Sequence, residues 1–209
     1  MKFPVNFLPI EHELEPIAHY LRGRVLNAGC GDRDISGVLK GWQATSVDNC
    51  DIQTSIPGAF LCDLSAIPRP DSSYDAILCN AVLEHVPYPE KVMVEFWRLL
   101  APGGTLVVSV PFLQPFHPTP FDFRRYTRTG LEQLGERAGF RVIEMRAVHS
   151  LAQTIGWLLW AHLEERRSRV GKLLYWLPIY LASRLSQNPP VGQFYTANSF
   201  QAVLMKTSY

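Results

Sequence analysis

The chain has 209 residues, 47% of them hydrophobic, which is enough for one domain with a buried core over residues 1–209. A formal net charge of +1 provides no general field for a polyanion, so a nucleic-acid partner is not expected. The four cysteines lack C-x-x-C spacing, which indicates reduced thiols in a cytoplasmic protein, and no metal centre is predicted. The first residues, interrupted by Pro4 and Pro9, lack the continuous apolar stretch of a secretion signal.

Predicted strands and helices alternate along the chain. The first half has a helix over 11–21, a strand at 25–26, a helix over 34–40, a strand over 44–48 that ends in an acid, and strands over 59–64 and 74–79. A helix then runs from Pro89 to a turn at 101–104, followed by a strand over 105–110, a helix after a capping box at 129–132 and a strand over 141–147. Two helices within 151–185 and a last strand over 200–206 complete the order. This alternation predicts an open, mainly parallel α/β sheet whose ligands bind at the carboxyl ends of the strands. The helices over 151–187 form an insertion before the last strand.

The most informative stretch is the glycine turn between the first strand and the next helix. Gly29 and Gly31 permit close backbone approach of a ligand. Asp32 and Asp34 would repel a pyrophosphate, which disfavours a nicotinamide-dependent oxidoreductase and favours a ligand with an amino group. Asp48 follows the turn by about 20 residues, the spacing at which an acid binds ribose hydroxyls. A ribose with a cationic tail suggests S-adenosylmethionine.

Five motifs occur in a fixed order: VLNAGCG at 25–31, VD at 47–48, CDL at 62–64, YDAILCNAVLEHV at 74–86 and LLAPGGTLVVSVP at 99–111. In this order they resemble class I S-adenosylmethionine-dependent methyltransferases over about residues 20–145. The resemblance implies a doubly wound, Rossmann-like sheet of seven mainly parallel strands. It also implies that the 27–31 turn holds the methionine part, Asp48 the ribose, Asp63 with Leu64 the adenine, and that Asn80 lies under the sulfonium. The implied cofactor-binding set is Asn27, Ala28, Gly29, Gly31, Asp48, Asn49, Asp63, Leu64 and Asn80.

Two residues depart from the family pattern. Asn27 stands where the family usually has an acid, and Arg33 stands where it often has a third glycine. Asn27 can accept a hydrogen bond but brings no charge to the ammonium group of the cofactor. A second hypothesis therefore stays open: a binding protein that kept the fold and lost methyl transfer.

The segment 111–126 follows the fifth strand and should lie over the crevice. Four prolines stiffen it and four phenylalanines favour burial, so it is predicted to fold down as a lid over the acceptor. If the acceptor is a hydroxyl, the candidates to take its proton are His117, His85 and Asp122. Arg124 or Arg125, with Tyr126 beside them, could bind a carboxylate or phosphate of the acceptor. The alternative is a packed loop whose charges pair with one another.

The insertion over 151–187 contains two amphipathic helices. Neither apolar run reaches the length of a membrane span, and Pro178 interrupts the second. Aromatic residues beside arginines suggest an interface or peripheral membrane contact, whereas helices packed on their own domain are the alternative. The histidine, acid and arginines of the lid predict a small-molecule or glycan acceptor, and the aromatic insertion would also allow a lipid-linked one. The oligomeric state is not predicted.

Overall fold

The computed structural model describes residues 2–118, 120–186 and 194–207. Within them a single sheet has seven strands in the order β3-β2-β1-β4-β5-β7-β6. The strands are β1 Gly23–Ala28, β2 Ala44–Asp51, β3 Phe60–Leu61, β4 Tyr74–Asn80, β5 Leu100–Pro111, β6 Phe140–Val148 and β7 Ser199–Lys206. Only β7 runs antiparallel to its neighbours, β5 and β6. The predicted mainly parallel α/β fold is confirmed.

Helices cover both faces of this sheet. The α-helices are α1 Ile10–Leu14, α2 Ser36–Gly41, α3 Pro89–Leu99, α4 Arg128–Arg137, α5 Leu151–Glu165 and α6 Arg169–Leu185. One face of the sheet packs around Phe96 and Leu131, and the other around Leu14 and Leu39. The residues of β5 from Leu106 to Pro111 are all buried, as expected for a parallel strand covered on both sides.

Several predicted boundaries were wrong. Strand β2 continues to Asp51 instead of ending at Asp48, and the 101–104 turn is the beginning of β5. The predicted capping box at 129–132 is also wrong, because Thr127 is the N-cap and its hydroxyl accepts from the Gly130 amide. The predicted leading helix is split, with a 3-10 helix over Glu15–Tyr20 following α1 at a proline.

The insertion formed by α5 and α6 packs on the N-terminal segment. Trp160 and Ile179 enclose Val5, while the Gln153 amide donates to the carbonyl of Asn6 at 2.6 Å. The Trp176 indole donates to the carbonyl of Lys2 at 2.8 Å. Because this N-terminal segment leads directly into α1, the insertion positions the residues that precede the first strand.

The outer side of α5 and α6 is apolar and exposed. Its large side chains are Leu151, Ile155, Leu158, Val170, Leu173, Leu174, Leu177, Leu181 and Leu185. Among the described residues, no helix combines the length and the hydropathy required of a membrane span.

Candidate active site

A cleft of about 300 Å³ opens at the carboxyl edge of the sheet. Its floor is the turn after β1, where Gly29 and Gly31 have φ of +75° and +53°. A Cβ on Gly29 would overlap the γ-carbons of Val82, whereas nothing lies within 4 Å of a Cβ on Gly31. The first glycine is thus required by packing, and the second leaves open space beside the cleft. Another cavity, of about 240 Å³, lies at the amino edge and contains none of the predicted site residues.

Asn27 lines this cleft and is buried. Its side-chain amide donates to Oδ1 of Asn49 at 2.9 Å, and the Asn49 amide donates to Oγ of Ser36 at 2.8 Å. This chain of hydrogen bonds connects β1, β2 and the first residue of α2. Asn27 and Asn49, both in the predicted cofactor-binding set, are therefore brought together in a network that is neutral.

The acids on β2 are placed differently from the prediction. Asp48 pairs with Leu26 in the middle of the sheet, and its carboxylate accepts from the Tyr74 hydroxyl at 2.8 Å and from Arg69 at 3.2 Å. Asp51 is the residue that ends β2, and its Oδ2 accepts from the Gly31 amide at 2.8 Å. At about 3.3 Å per residue, Asp48 lies roughly 10 Å below the edge at which Asp51 stands. The acid beside the glycine turn is thus Asp51.

The other predicted cofactor residues lie around the same edge. Asn80 ends β4 and lines the cleft, and Ala28 ends β1 at a buried position. Asp63 follows β3 and is exposed, and a hydrogen bond from the Ser65 amide lowers the pKa of its carboxyl. Leu64 is buried in the core.

The N-terminal segment closes the cleft from the opposite side. Leu8, Ile10 and Glu13 line it, and Glu13 Oε1 lies 2.7 Å from Nε2 of His149. Arg33, the other departure from the family pattern, also lines the cleft and donates to Glu11 at 3.1 Å. The cleft is therefore lined by one carboxylate, Glu13, and one guanidinium, Arg33, that lie outside the VLNAGCG motif.

Polar contacts hold the segment 111–126 over the end of β5. Arg125 donates both terminal nitrogens to the carboxylate of Asp122, and its remaining N–H groups to the carbonyls of Gln114, Pro115 and Arg124. Because all five donors are used, Arg125 offers none to an acceptor, which corrects its predicted role. The guanidinium lowers the pKa of Asp122 to about 2, so this carboxylate is a weak base that positions the loop.

Other expectations for this segment are also corrected. Three of its phenylalanines, Phe116, Phe121 and Phe123, are 48–73% exposed, whereas burial was predicted. The loop is fixed by Arg125 and by backbone contacts, so their burial is not needed to hold it. Tyr126 is buried and its hydroxyl donates to the carbonyl of Leu83 at 3.0 Å, which removes it from the surface open to an acceptor. Arg124 is partly exposed and donates to the carbonyl of Pro87.

His85 lies against His117 of this segment, with ring centroids 5.4 Å apart. Between them lies Glu84, which is 1% exposed and was not predicted from the sequence. Its Oε1 is 3.7 Å from Nε2 of His85 and 3.9 Å from Nε2 of His117. The carboxylate of Glu84 raises the pKa of His117 above its ordinary value. The sequence signal for Glu84 was an acid inside the apolar run AVLEHV.

Trp157 of α5 lies over the same cluster. Its ring centroid is 6.0 Å from that of His117 and 5.3 Å from that of Phe7. The insertion thus reaches the candidate active site, and its inner side packs on the N-terminal segment of the chain.

Comparison with known proteins identifies the family. The sequence model of a methyltransferase domain family matches residues 8–145. The chain belongs to this methyltransferase family. It is 30% identical over 155 residues to a Mycolicibacterium smegmatis protein named "Probable S-adenosylmethionine-dependent methyltransferase", covering 66% of this chain and 60% of that protein. It is 29% identical over 127 residues to the ubiquinone biosynthesis O-methyltransferase of Burkholderia multivorans, covering 50% of this chain and 54% of the relative.

A solved structure agrees in fold. The Burkholderia thailandensis 1,6-didemethyltoxoflavin-N1-methyltransferase, with bound 1,6-didemethyltoxoflavin and S-adenosylhomocysteine, aligns with a TM-score of 0.59 and 17% identity, covering 96% of this chain and 77% of that one. The predicted family and the seven-stranded Rossmann-like fold are confirmed. The comparisons favour an enzyme over the inactive binding protein. The predicted cofactor, S-adenosylmethionine, is the one that the name of the Mycolicibacterium smegmatis relative gives.

Proposed function

We propose that the chain transfers the methyl group of S-adenosylmethionine to a hydroxyl of a small, largely apolar acceptor. The observation that carries this proposal is the position of the cleft. Gly29, Asp51 and Asn80, from the ends of three neighbouring parallel strands, meet at one edge, and the residues of the histidine cluster follow β4 and β5 at that same edge. Ligands of open α/β sheets bind at this edge.

Charge at the edge of the cleft suits the two ends of the cofactor. Asp51, with a carboxylate beside the glycine turn, would accept hydrogen bonds from the ribose hydroxyls. Glu13 would meet the ammonium group, because its Oε2 has no hydrogen-bond partner within the described ranges and Asn27 across the cleft is neutral. Arg33 would face the carboxylate of the methionine part. The missing charge at Asn27 is then compensated by Glu13, and Arg33, the other departure from the family motif, takes a role of its own in the same space.

The acceptor side is apolar at its surface. Phe121 and Phe123 are exposed and have ring centroids 5.6 Å apart. Tyr88, three residues after His85, is also exposed. An acceptor with an aromatic or alkyl body would cover these rings. Such an acceptor agrees with the relative named for ubiquinone biosynthesis and with the solved structure that contains 1,6-didemethyltoxoflavin.

The reaction needs little covalent chemistry from the protein. The acceptor oxygen attacks the methyl carbon as the carbon–sulfur bond breaks, the electron pair stays on sulfur, and the hydroxyl proton leaves. Holding the two reactants in line provides much of the acceleration. Trp157 and the loop over 111–126 would exclude water from the reacting atoms.

Two measurements test this function in sequence. Isothermal titration calorimetry with S-adenosylmethionine and S-adenosylhomocysteine should show binding at one site per chain. Incubation with methyl-labelled cofactor and a panel of phenols, long-chain alcohols and sugars, followed by mass spectrometry, should show label on a phenol or long-chain alcohol. Absence of cofactor binding at millimolar concentration would refute the function, and transfer to sugars alone would refute the apolar acceptor.

A second proposal concerns the insertion: we propose that its exposed face binds an anionic lipid surface, which would present a lipid-linked acceptor. The segment 151–186 carries five arginines and lysines against two glutamates, and four of the five lie together at 166–172. An exposed apolar face beside a basic cluster is typical of helices that lie in the membrane interface.

A further inference from the structure

We propose that Glu84, His85 and His117 bind a divalent first-row transition-metal ion. One ligand atom from each residue can be chosen so that all three lie within 4.8 Å of one another. Glu84 and His85 belong to the 3-10 turn Leu83–His85 after β4, and His117 belongs to the loop after β5. Two neighbouring parallel strands therefore deliver the three side chains to one place.

Contacts with backbone carbonyls indicate the tautomer of each ring. Nδ1 of His85 lies 2.5 Å from the carbonyl of Phe121, and Nδ1 of His117 lies 2.9 Å from the carbonyl of Pro115. A carbonyl can only accept, so Nδ1 of each ring carries the proton and donates it. In the neutral rings Nε2 then has a lone pair, and in both residues Nε2 is the atom nearest to Glu84. Hydrogen bonds of this kind orient histidines that bind metals.

Glu84 is the third ligand, and its burial is the strongest evidence for a bound cation. It is 1% exposed, and neither of its carboxylate oxygens has a hydrogen-bond partner among the residues that the structure describes. A buried carboxylate without a hydrogen bond is unfavourable unless a cation or a donor satisfies it. When the two rings are neutral, a carboxylate and two Nε2 lone pairs converge here. A cation at their centre satisfies all three at once.

The ligand chemistry selects the class of ion. Two imidazole nitrogens and one carboxylate suit iron, cobalt, manganese or zinc, whereas magnesium and calcium prefer oxygen ligands alone. Metal–ligand bonds of about 2.0–2.2 Å place neighbouring ligand atoms roughly 3–3.5 Å apart. The distances of 3.7 Å and 3.9 Å from Glu84 to the two rings come close to this spacing and need only small side-chain movements.

Three protein ligands leave coordination positions open, and these would face the acceptor. The role of the ion rests on the proposed function: it would bind the acceptor oxygen and favour loss of the hydroxyl proton. Binding of the ion does not depend on that function. Asp122 acts as a positioning residue, because it accepts from the His117 amide at 2.9 Å and is held by Arg125.

Metal binding can be measured without cofactor or acceptor. The full chain, treated with a chelator and dialysed, is titrated with Co²⁺ and followed by visible absorption, and with Zn²⁺ by calorimetry. We expect one ion per chain and cobalt d–d bands of a nitrogen- and oxygen-ligated site. Glu84→Gln, His85→Gln and His117→Gln should each weaken binding at least about 100-fold. His162→Gln, on α5 and outside the cluster, is the matched control and should bind as the wild type does.

Each outcome decides the proposal. Circular dichroism identifies a variant that fails to fold, and the other two cluster variants then carry the test. No binding by the wild-type chain, or equal binding by the cluster variants and His162→Gln, would overturn the site. Calorimetry with S-adenosylmethionine on the metal-free chain separates this result from failure of the proposed function, because the metal ligands lie outside the residues that would hold the cofactor.

Discussion

The amide of Asn27 donates to Oδ1 of Asn49 at 2.9 Å, so the position at which the family usually has an acid is neutral and internally bonded. The Asn49 amide is bonded to the Ser36 hydroxyl, which can accept or donate. Rotation of the Asn49 amide would therefore present a donor to an aspartate at position 27 without loss of the bond to Ser36. Asn27→Asp would therefore restore the family residue at position 27 within the same hydrogen-bond network.

The first prediction concerns Glu13 as the partner of the ammonium group. Glu13→Gln should weaken binding of S-adenosylmethionine about tenfold, because a hydrogen bond to a charged group contributes about 1.5–3 kcal/mol and the amide keeps part of it. Calorimetry measures the affinity. Asn27→Asp in the Glu13→Gln background should recover most of the loss, since the charge returns on the other side of the cleft.

Glu15→Gln is the control, because Glu15 is exposed and does not line the cleft. The Glu15→Gln variant should bind S-adenosylmethionine with the affinity of the wild-type chain. If Glu13→Gln also binds with wild-type affinity, Glu13 does not meet the cofactor.

The second prediction separates the two acids of β2. Asp51→Asn should weaken cofactor binding by about 1–3 kcal/mol, because the ribose loses a charged acceptor. Asp48→Asn should change affinity less than twofold and slightly lower the melting temperature, since Tyr74 and Arg69 lose their partner. If calorimetry shows a larger loss of cofactor affinity for Asp48→Asn than for Asp51→Asn, Asp48 binds the ribose and Asp51 does not.

The third prediction concerns the glycine turn. Gly29→Ala should destabilise the cofactor-free chain by about 2 kcal/mol, because its φ of +75° strains an alanine and the new methyl group overlaps Val82. Urea denaturation measures the free energy of unfolding. Gly37→Ala, inside α2 with nothing within 4 Å of the new Cβ, should be neutral or stabilising. Equal stability of the two variants would contradict the packing requirement at Gly29.

The sequence predicted those parts of the site that depend on local order. The turn at Gly29 and Gly31 follows an apolar strand, so its position was readable from pattern alone. The end of β2 was not, because Asp48, Asn49 and Asp51 are all polar, and only the register with β1 shows which of them reaches the edge. Composition does not mark where a strand ends when polar residues continue past its apolar part.

The acceptor side was harder to predict for a different reason. Glu84 lies in an apolar run, and its meeting with His117 depends on how a loop returns across the sheet. The exposed phenylalanines of that loop were predicted as buried because hydrophobicity was given more weight than the polar contacts of Arg125. Long-range contacts of this kind are not encoded in local spacing.

The fourth prediction tests the lipid-binding face of α5 and α6. In flotation experiments the wild-type chain should bind vesicles containing phosphatidylserine, bind phosphatidylcholine vesicles less, and dissociate as salt is raised, because the basic cluster at 166–172 attracts anionic headgroups. Leu173→Glu with Leu177→Glu should abolish binding, since both side chains are more than half exposed on α6.

Val94→Glu places one such charge at a similarly exposed site on α3 and should leave vesicle binding intact. Analytical ultracentrifugation tests the alternative that a second copy of the chain covers this face of α5 and α6. A wild-type dimer that the Leu173→Glu and Leu177→Glu variant converts to a monomer, together with no flotation on anionic vesicles, would show that a second copy of the chain covers the face. Cofactor affinity should be unchanged in both variants, because neither face contacts the cleft.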